Sequence, residues 1–280
     1  MSTRTHHETR FPAHDGLSLY EQWWLPDAPA RAAVLLVHGL AEHSGRYAAL
    51  AANLNAAGYA VYTYDQRGHG RSEGKRCYFG RFEDTTADLD RVVERVQHRI
   101  DQLPLFLMGH SVGGTVVAAY AIAHQPQVNG IAISSGALKP GESLSPALIA
   151  ISGVISRIMP RMGLAALDAS TVSRDPAEVK AYKEDPLNFT GKLPARTGAE
   201  LLSAFAFVQQ DAHDIETPIL IWHGTADQLT NPDGSRELYA KVGSADKTLN
   251  LYDGAYHETL NDLDRDQVIR DLITWLDAHC

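Results

Sequence analysis

Short, nearly uninterrupted apolar runs recur along the chain at Ala32–Val37, Tyr59–Tyr64, Leu105–Met108, Gly130–Ser134 and Pro218–Trp222. Runs of this length without alternation suit strands covered on both faces, as in a parallel sheet with helices on either side. Between them lie stretches with helical spacing: Arg46–Ala57, Thr85–Ile100 with its acidic residues early, and the run from Thr115 that stops at Gln125-Pro126. Leu17–Trp24, set off by Asp15-Gly16 and Pro26, supplies a further strand, which with Ala32–Val37 is expected to form one edge of the sheet. Strand alternating with helix places the chain in the α/β class, with a mostly parallel central sheet flanked by helices.

The alternation stops from about Lys139 to Asp214. Helix-like apolar segments follow one another there without an intervening strand, at Pro146–Met159, Pro176–Lys183 and Ala199–Val208. The stretch reads as an inserted helical cap, dividing the chain into a first core part (1–138), a cap (139–214) and a second core part (215–280). The core resumes at Pro218–Trp222 and continues with a helix at Arg236–Lys241, a strand at Thr248–Tyr252 and a closing helix at Arg265–Leu276.

Composition narrows the function classes. With 34 acidic against 25 basic residues, a formal charge of −9 and no basic run, the 280-residue chain lacks the surface that phosphate backbones require, so nucleic acid is not an expected partner. The two cysteines, Cys77 and Cys280, cannot build a disulfide framework or a metal-ligand set, and a reducing compartment is the simple expectation. The first residues lack the apolar centre of a secretory signal, and no stretch reaches the ~20 apolar residues of a membrane span. A cytoplasmic protein is expected. The most apolar segment, Pro146–Met159, is interrupted by Ser152, Gly153, Ser156 and Arg157, which suits peripheral membrane contact through the cap rather than crossing.

Chemistry concentrates at Gly109-His-Ser-Val-Gly-Gly114, between an apolar strand and a strong helix former. A serine in a tight strand-to-helix turn has its hydroxyl thrust clear of the backbone, and glycines two residues to either side leave space for the turn. Ser111 is therefore the candidate nucleophile. A serine hydroxyl needs an imidazole to take its proton, and the imidazole needs a carboxylate to fix its tautomer. Asp227, in His223-Gly-Thr-Ala-Asp227, and His257, in Tyr252-Asp-Gly-Ala-Tyr-His257, both follow strands, where a doubly wound sheet carries its catalytic loops. Asp253 and His223 are the rival acid and base. The chain order Ser, Asp, His is that of the α/β-hydrolase fold. Oxyanion donors are expected from the backbone N–H of Val112, at the positive end of the following helix, and of Leu40, in the loop after Ala32–Val37. Serine rather than aspartate at the turn points to acyl chemistry, and no metal-ligand or phosphate-cradle motif is present, so no metal or other cofactor is expected.

With these residues in hand, the chain resembles the monoacylglycerol lipases of the α/β-hydrolase superfamily, within the lysophospholipase-like serine hydrolases. The resemblance runs nearly end to end, through His38-Gly-Leu-Ala-Glu-His-Ser-Gly-Arg-Tyr47, Asp65-Gln-Arg-Gly-His-Gly-Arg-Ser72, Gly109-His-Ser-Val-Gly-Gly114, Ser173-Arg-Asp-Pro176, Tyr182-Lys-Glu-Asp-Pro186 and the two loops that carry Asp227 and His257. It implies that Ser111, Asp227 and His257 are the triad, that Leu40 and Val112 give the oxyanion amides and that 139–214 is the cap. It further implies a polar glycerol pocket of Glu42, Arg46, His110 and Tyr182; the alternative use of Glu42 and Arg46, four apart near a helix start, is to pair with each other. Ile151, Ile155, Ile158 and Met159 of the cap are expected to line the acyl tunnel, rest on lipid or bury the cap against the core. The chain departs from the animal members at Leu260, where they carry a second histidine, and at Thr230, where they carry cysteine. The implied reaction is hydrolysis of a monoacylglycerol to fatty acid and glycerol. A carboxylesterase, lysophospholipase or thioesterase would use the same triad, and a non-catalytic ligand receptor would share the fold.

Overall fold

The computed structural model describes residues 5–140 and 153–280. Its main sheet begins at a polar edge, where β1 (Thr5–Pro12) pairs antiparallel with β2 (Ser18–Leu25), and β2 pairs antiparallel with β4 (Tyr59–Tyr64). From β4 onward every pairing is parallel, through β3 (Ala32–Val37), β5 (Leu105–His110), β6 (Gly130–Ser134), β9 (Ile219–Gly224) and β10 (Lys247–Tyr252). The mostly parallel eight-stranded sheet is that of the α/β-hydrolase fold.

The uninterrupted apolar runs are explained by a core on each side of the sheet. In β3, Ala33, Leu35 and Val37 face one cluster while Val34 and Leu36 face the other, so neither parity of the strand meets water. The first layer takes Leu89, Val92 and Val96 of α2 (Glu83–Ile100) and Val116, Val117 and Tyr120 of α3 (Val112–His124). The second takes Leu50 and Leu54 of α1 (Ala48–Ala56) with Val268, Leu272 and Trp275 of α8 (Arg265–Ala278).

The structure corrects the expected edge. Ala32–Val37 lies inside the sheet between β4 and β5, and the edge is formed by β1 and β2. The reason is that α1 and α2 cover opposite faces: the chain steps outward from β3 to β4 along one face, then returns across the other to place β5 on the far side of β3. That reversal of strand order opens a crevice at the carboxyl ends of β3 and β5, where ligands of such sheets bind.

Between the two halves of the sheet, the described insertion contains α4 (described part 153–158), α5 (Pro176–Glu184) and α6 (Ala195–Asp211). It also contains a small antiparallel pair, β7 (Gly163–Ala166) with β8 (Lys192–Pro194), where an all-helical segment was expected. Strands of four and three residues built from Gly, Leu, Ala, Lys and Pro carry no period-2 signal. The last helix before β10 is α7 (Pro232–Lys241), which starts earlier than its apolar spacing implied because Asn231 caps it through a hydrogen bond from Asp233 N–H and Pro232 opens the first turn.

The junction of α3 with the sheet is tight. A Cβ on Gly113 would stand 2.1 Å from the Val37 carbonyl oxygen and 2.5 Å from that of His38, both main-chain atoms with nowhere to go. Gly113→Ala, although alanine is the better helix former, is expected to destabilise the protein by about 2 kcal/mol or more; a urea unfolding midpoint equal to or above that of the parent would contradict this packing account.

Candidate active site

Ser111 sits between β5 and α3 with φ 53° and ψ −121°, a left-handed backbone that a non-glycine residue adopts only when its surroundings enforce it. The enforcement is visible. Ser111 N–H donates to the Ser134 carbonyl at 2.9 Å, its own carbonyl accepts from Gly114 and Ala137 N–H at 2.9 and 3.0 Å, and a Cβ on Gly109 would lie 2.3 Å from the Gly113 oxygen. Val112 then opens α3, so its N–H has no partner one turn earlier in the helix. The expected second donor, Leu40, is in the loop after β3, where the Gly39 Cα comes so close that an added Cβ would stand 3.0 Å from Ser111 Cβ. Glu42 pins this loop by accepting the Gly39 N–H at 2.6 Å. Among the described residues, no protein acceptor takes the N–H of Leu40 or Val112.

Asp227 lies in the loop after β9 and is fully buried at its side chain. Its Oδ1 accepts the N–H groups of Leu229 and Thr230 at 2.8 and 3.0 Å. Its Oδ2 is 2.7 Å from His257 Nδ1, 2.9 Å from His223 Nε2 and 2.8 Å from the Thr230 hydroxyl. Burial alone would raise this carboxyl, but His257 and His223 outweigh it and hold the group far below the usual carboxylate range. His257 is the converse case: burial pushes it down, yet the charge and hydrogen bond of Asp227 raise it above the ordinary 6.5. The two sequence rivals are thereby placed. Asp253 bonds the Thr225 hydroxyl on the surface, and His223 stands behind Asp227, fully buried, its Nδ1 2.7 Å from Ser235 Oγ.

Ser111 and His257 meet at one cavity of about 180 Å³, which Leu40, Val112, Glu42, His110 and Tyr182 also line. No side-chain hydrogen bond of Ser111 is formed among the described residues, a contact that commonly tightens only in the Michaelis complex. The walls are apolar: Leu164 and Ala165 of β7, Leu167, Val172, Leu193, and Leu201, Leu202 and Phe205 of α6. At the polar end, Arg46 takes the pairing role. Its guanidinium donates to both oxygens of Glu258 at 2.7 Å and to Glu42 Oε2 at 2.9 Å, and lies 4.7 Å from the centre of the Tyr182 ring, but it is not part of the cavity wall. Burial would depress Arg46; Glu258 and Glu42 instead raise it well above its ordinary value. His110, 4.8 Å from His257 ring to ring, is pushed down to about 4 by burial and by that neighbour.

The four residues expected in the cap divide differently. Ile151 lies outside the described residues. Ile155 is half-buried, Ile158 and Met159 are exposed at 74% and 54%, and none of these three lines the cavity. Sequence reasoning did not single out Glu258, although it directly follows His257, nor the hydroxyl that Thr230 adds to Asp227, nor the cavity wall formed by β7 and α6.

Residues 28–264 match the family model described as serine aminopeptidase, S33. The chain is 37% identical over 278 residues to the monoacylglycerol lipase of Mycolicibacterium smegmatis, covering 99% of each, and 32% identical over 265 residues to the monoglyceride lipase of Mus musculus, covering 94% of this chain and 88% of the other. Among solved structures it is similar to the Paleococcus ferrophilus monoacylglycerol lipase, with a TM-score of 0.84, 34% identity and coverage of 99% and 100% of the two chains.

The charges around Asp227 yield a direct expectation for ring NMR across a pH titration. The imidazole of His257 should gain its proton at a pH above 6.5, while His110 stays neutral down to about 4. In Asp227→Asn the supporting charge is gone while burial remains, so the His257 midpoint should fall below 6.5; an unmoved midpoint would refute the assignment of Asp227 as its partner.

Proposed function

The chain belongs to the serine aminopeptidase S33 family, and from the form of its cavity together with its likeness to monoacylglycerol lipases we infer that it is a monoacylglycerol lipase, cleaving the ester of a single acyl chain to release fatty acid and glycerol. The observation that carries this reading is a cavity with apolar walls that ends at Ser111 and His257 beside a polar floor where Arg46 pairs with Glu42 and Glu258. An aminopeptidase needs a free carboxylate for the substrate ammonium. The carboxylates on this cavity, Glu42 and Glu258, are both bound to Arg46, while the relatives of similar length carry lipase names.

In the mechanism we propose, His257 removes the proton of Ser111 Oγ as it attacks the ester carbonyl, and Asp227 balances the imidazolium that forms. The Leu40 and Val112 N–H groups meet the developing oxyanion, with the positive end of α3 behind Val112. Collapse of the tetrahedral intermediate breaks the bond to the glycerol oxygen, which takes the proton from His257. Water, giving its proton to the same imidazole, then attacks the acyl carbonyl; collapse breaks the bond to Ser111 Oγ, which takes the proton back from His257 as the fatty acid leaves. The acyl chain lies between β7 and α6, and the glycerol hydroxyls lie toward Glu42, His110, Tyr182 and Glu258. We read residues 139–214 as the cap that supplies the acyl walls.

Two further parts of the reading are ours. Val154, Ile158 and Met159 expose apolar side chains beside Arg157 and Arg161, an arrangement suited to resting on an anionic lipid surface; no described helix is long and apolar enough to cross a membrane. The cysteines stand apart as free thiols, Cys77 buried and Cys280 exposed, which suits the cytoplasm.

Three measurements test this function. Turnover of a monoacylglycerol should exceed that of a diacylglycerol, a triacylglycerol, a lysophospholipid and an aminoacyl amide of matched chain, and Ser111→Ala should lower kcat by about four orders of magnitude or more; a preferred lysophospholipid would move the assignment to that class. Because only neutral His257 acts as base, kcat/KM should fall as the pH drops through a value above 6.5, and a midpoint clearly below it would remove His257 from that role. Ile158→Asp should weaken sedimentation with anionic phospholipid vesicles by about tenfold, and equal binding by the parent and the variant would exclude this face as the contact.

A further inference from the structure

The glycines of the two helices that border the cavity differ in what they do. In α3, Gly113 is required by contact, since a Cβ would meet the Val37 oxygen at 2.1 Å, and Gly114 is closely packed, with an Ile133 methyl 3.1 Å from where its Cβ would stand. Gly198, one turn into α6, has no such reason: an added Cβ would meet nothing within 4 Å, and its backbone is outside the left-handed region. A glycine there weakens the helix relative to alanine without any packing return.

Its position on the helix shows where the vacant space lies. Residues three, four and seven places on share the face of Gly198, and these are Leu201, Leu202 and Phe205. All three line the cavity, as does Gly198 itself and, one turn earlier, Pro194. A side chain at 198 would therefore project from the α6 wall into the cavity that Leu164 and Leu167 also line.

We propose that Gly198 is a specificity-determining position: its missing side chain keeps the α6 side of the cavity open, so that a long acyl chain can pass where a larger residue would stop it. The inference rests on the reading of the protein as a monoacylglycerol hydrolase and concerns the length of chain that this site accepts. Nothing in the proposed chemistry touches Gly198, so a substitution there should act on the acyl group and not on bond breaking.

The test compares octanoylglycerol with palmitoylglycerol for the parent, Gly198→Ala and Gly198→Leu. The ratio of kcat/KM for palmitoyl to octanoyl substrate should fall by about tenfold or more in Gly198→Leu and by less in Gly198→Ala. Gly198→Ala should also melt about 2 °C higher, because helix propensity improves with no clash. Labelling of Ser111 by a small fluorophosphonate reports whether each variant holds an assembled site. An unchanged ratio, or an equal loss on both substrates, in variants that label normally would overturn the proposal. If leucine at 198 prevents folding, the vacant space inferred here is absent and the proposal fails on that ground. A parent enzyme that turns over neither glyceride would instead overturn the proposed function, leaving the two failures distinguishable.

Discussion

The close contact between α3 and the carboxyl ends of β3 and β5 is the constraint on which the site depends. Ser111 can hold a left-handed backbone only because Gly109 presents no Cβ to the Gly113 carbonyl, and because Gly113 in turn rests against the Val37 and His38 carbonyls. The same contact sets three other distances. It brings the start of α3 beside the Gly39-Leu40 loop, points the N–H of Val112 into the crevice, and aligns β6 so that Ser134 receives the N–H of Ser111. Strain of about 1–3 kcal/mol at one residue is thus held in place by the packing of α3 on the ends of the central strands.

A second set of interactions joins the described insertion to this frame. Ala41, itself left-handed at φ 67°, turns its carbonyl toward the insertion, where it accepts the Phe189 N–H at 2.8 Å and the Tyr182 hydroxyl at 3.2 Å. His43 Nε2 lies 3.0 Å from Asp185, and Arg46 packs on the Tyr182 ring. The loop that offers Leu40 is consequently gripped from both sides, by Glu42 from within and by α5 with its following turn from above. A movement of α5 would be felt at the Leu40 N–H, a proposed oxyanion donor, through these bonds.

How much of this was legible in the chain follows from how local each signal is. The covered strands, the serine turn and the loops of Asp227 and His257 were readable because apolar runs and glycines fall within a few residues of one another. β1 was missed because it is an edge strand in which Phe11 is the buried apolar residue among polar neighbours, and its partner is set by register with β2 rather than by alternation. The placement of β3 inside the sheet depends on which face each crossover helix covers, and no single segment encodes that. Arg46 shows the same limit in chemical form. Its i, i+4 partner Glu42 was visible, but the bidentate partner Glu258 is 212 residues away and turns a candidate substrate ligand into a structural ion cluster. Thr230 was noted as a departure at a cysteine position; only the fold shows that its hydroxyl reaches the same Asp227 oxygen as His257.

The ion cluster also bears on the reaction. Acyl transfer from a neutral serine creates a charge pair, an oxyanion on one side and an imidazolium on the other, in a site shielded from water. On the imidazolium side stand three carboxylates, Asp227, Glu42 and Glu258, against one guanidinium, Arg46, so the surroundings carry a surplus of two negative charges before His257 is protonated and one afterwards. His110, packed against His257, stays uncharged at neutral pH and so does not oppose that proton. On the oxyanion side stand backbone dipoles and the start of α3 rather than a mobile cation. The two halves of the charge pair are therefore each met by groups already in position, and Arg46, bound to both carboxylates, holds the Glu258 carboxyl below its ordinary value against the effect of burial at the wall of an apolar cavity. Removing its charge would leave Glu42 and Glu258 without the cation they share and the surroundings of His257 more negative by one, a change that reaches His257 without touching it.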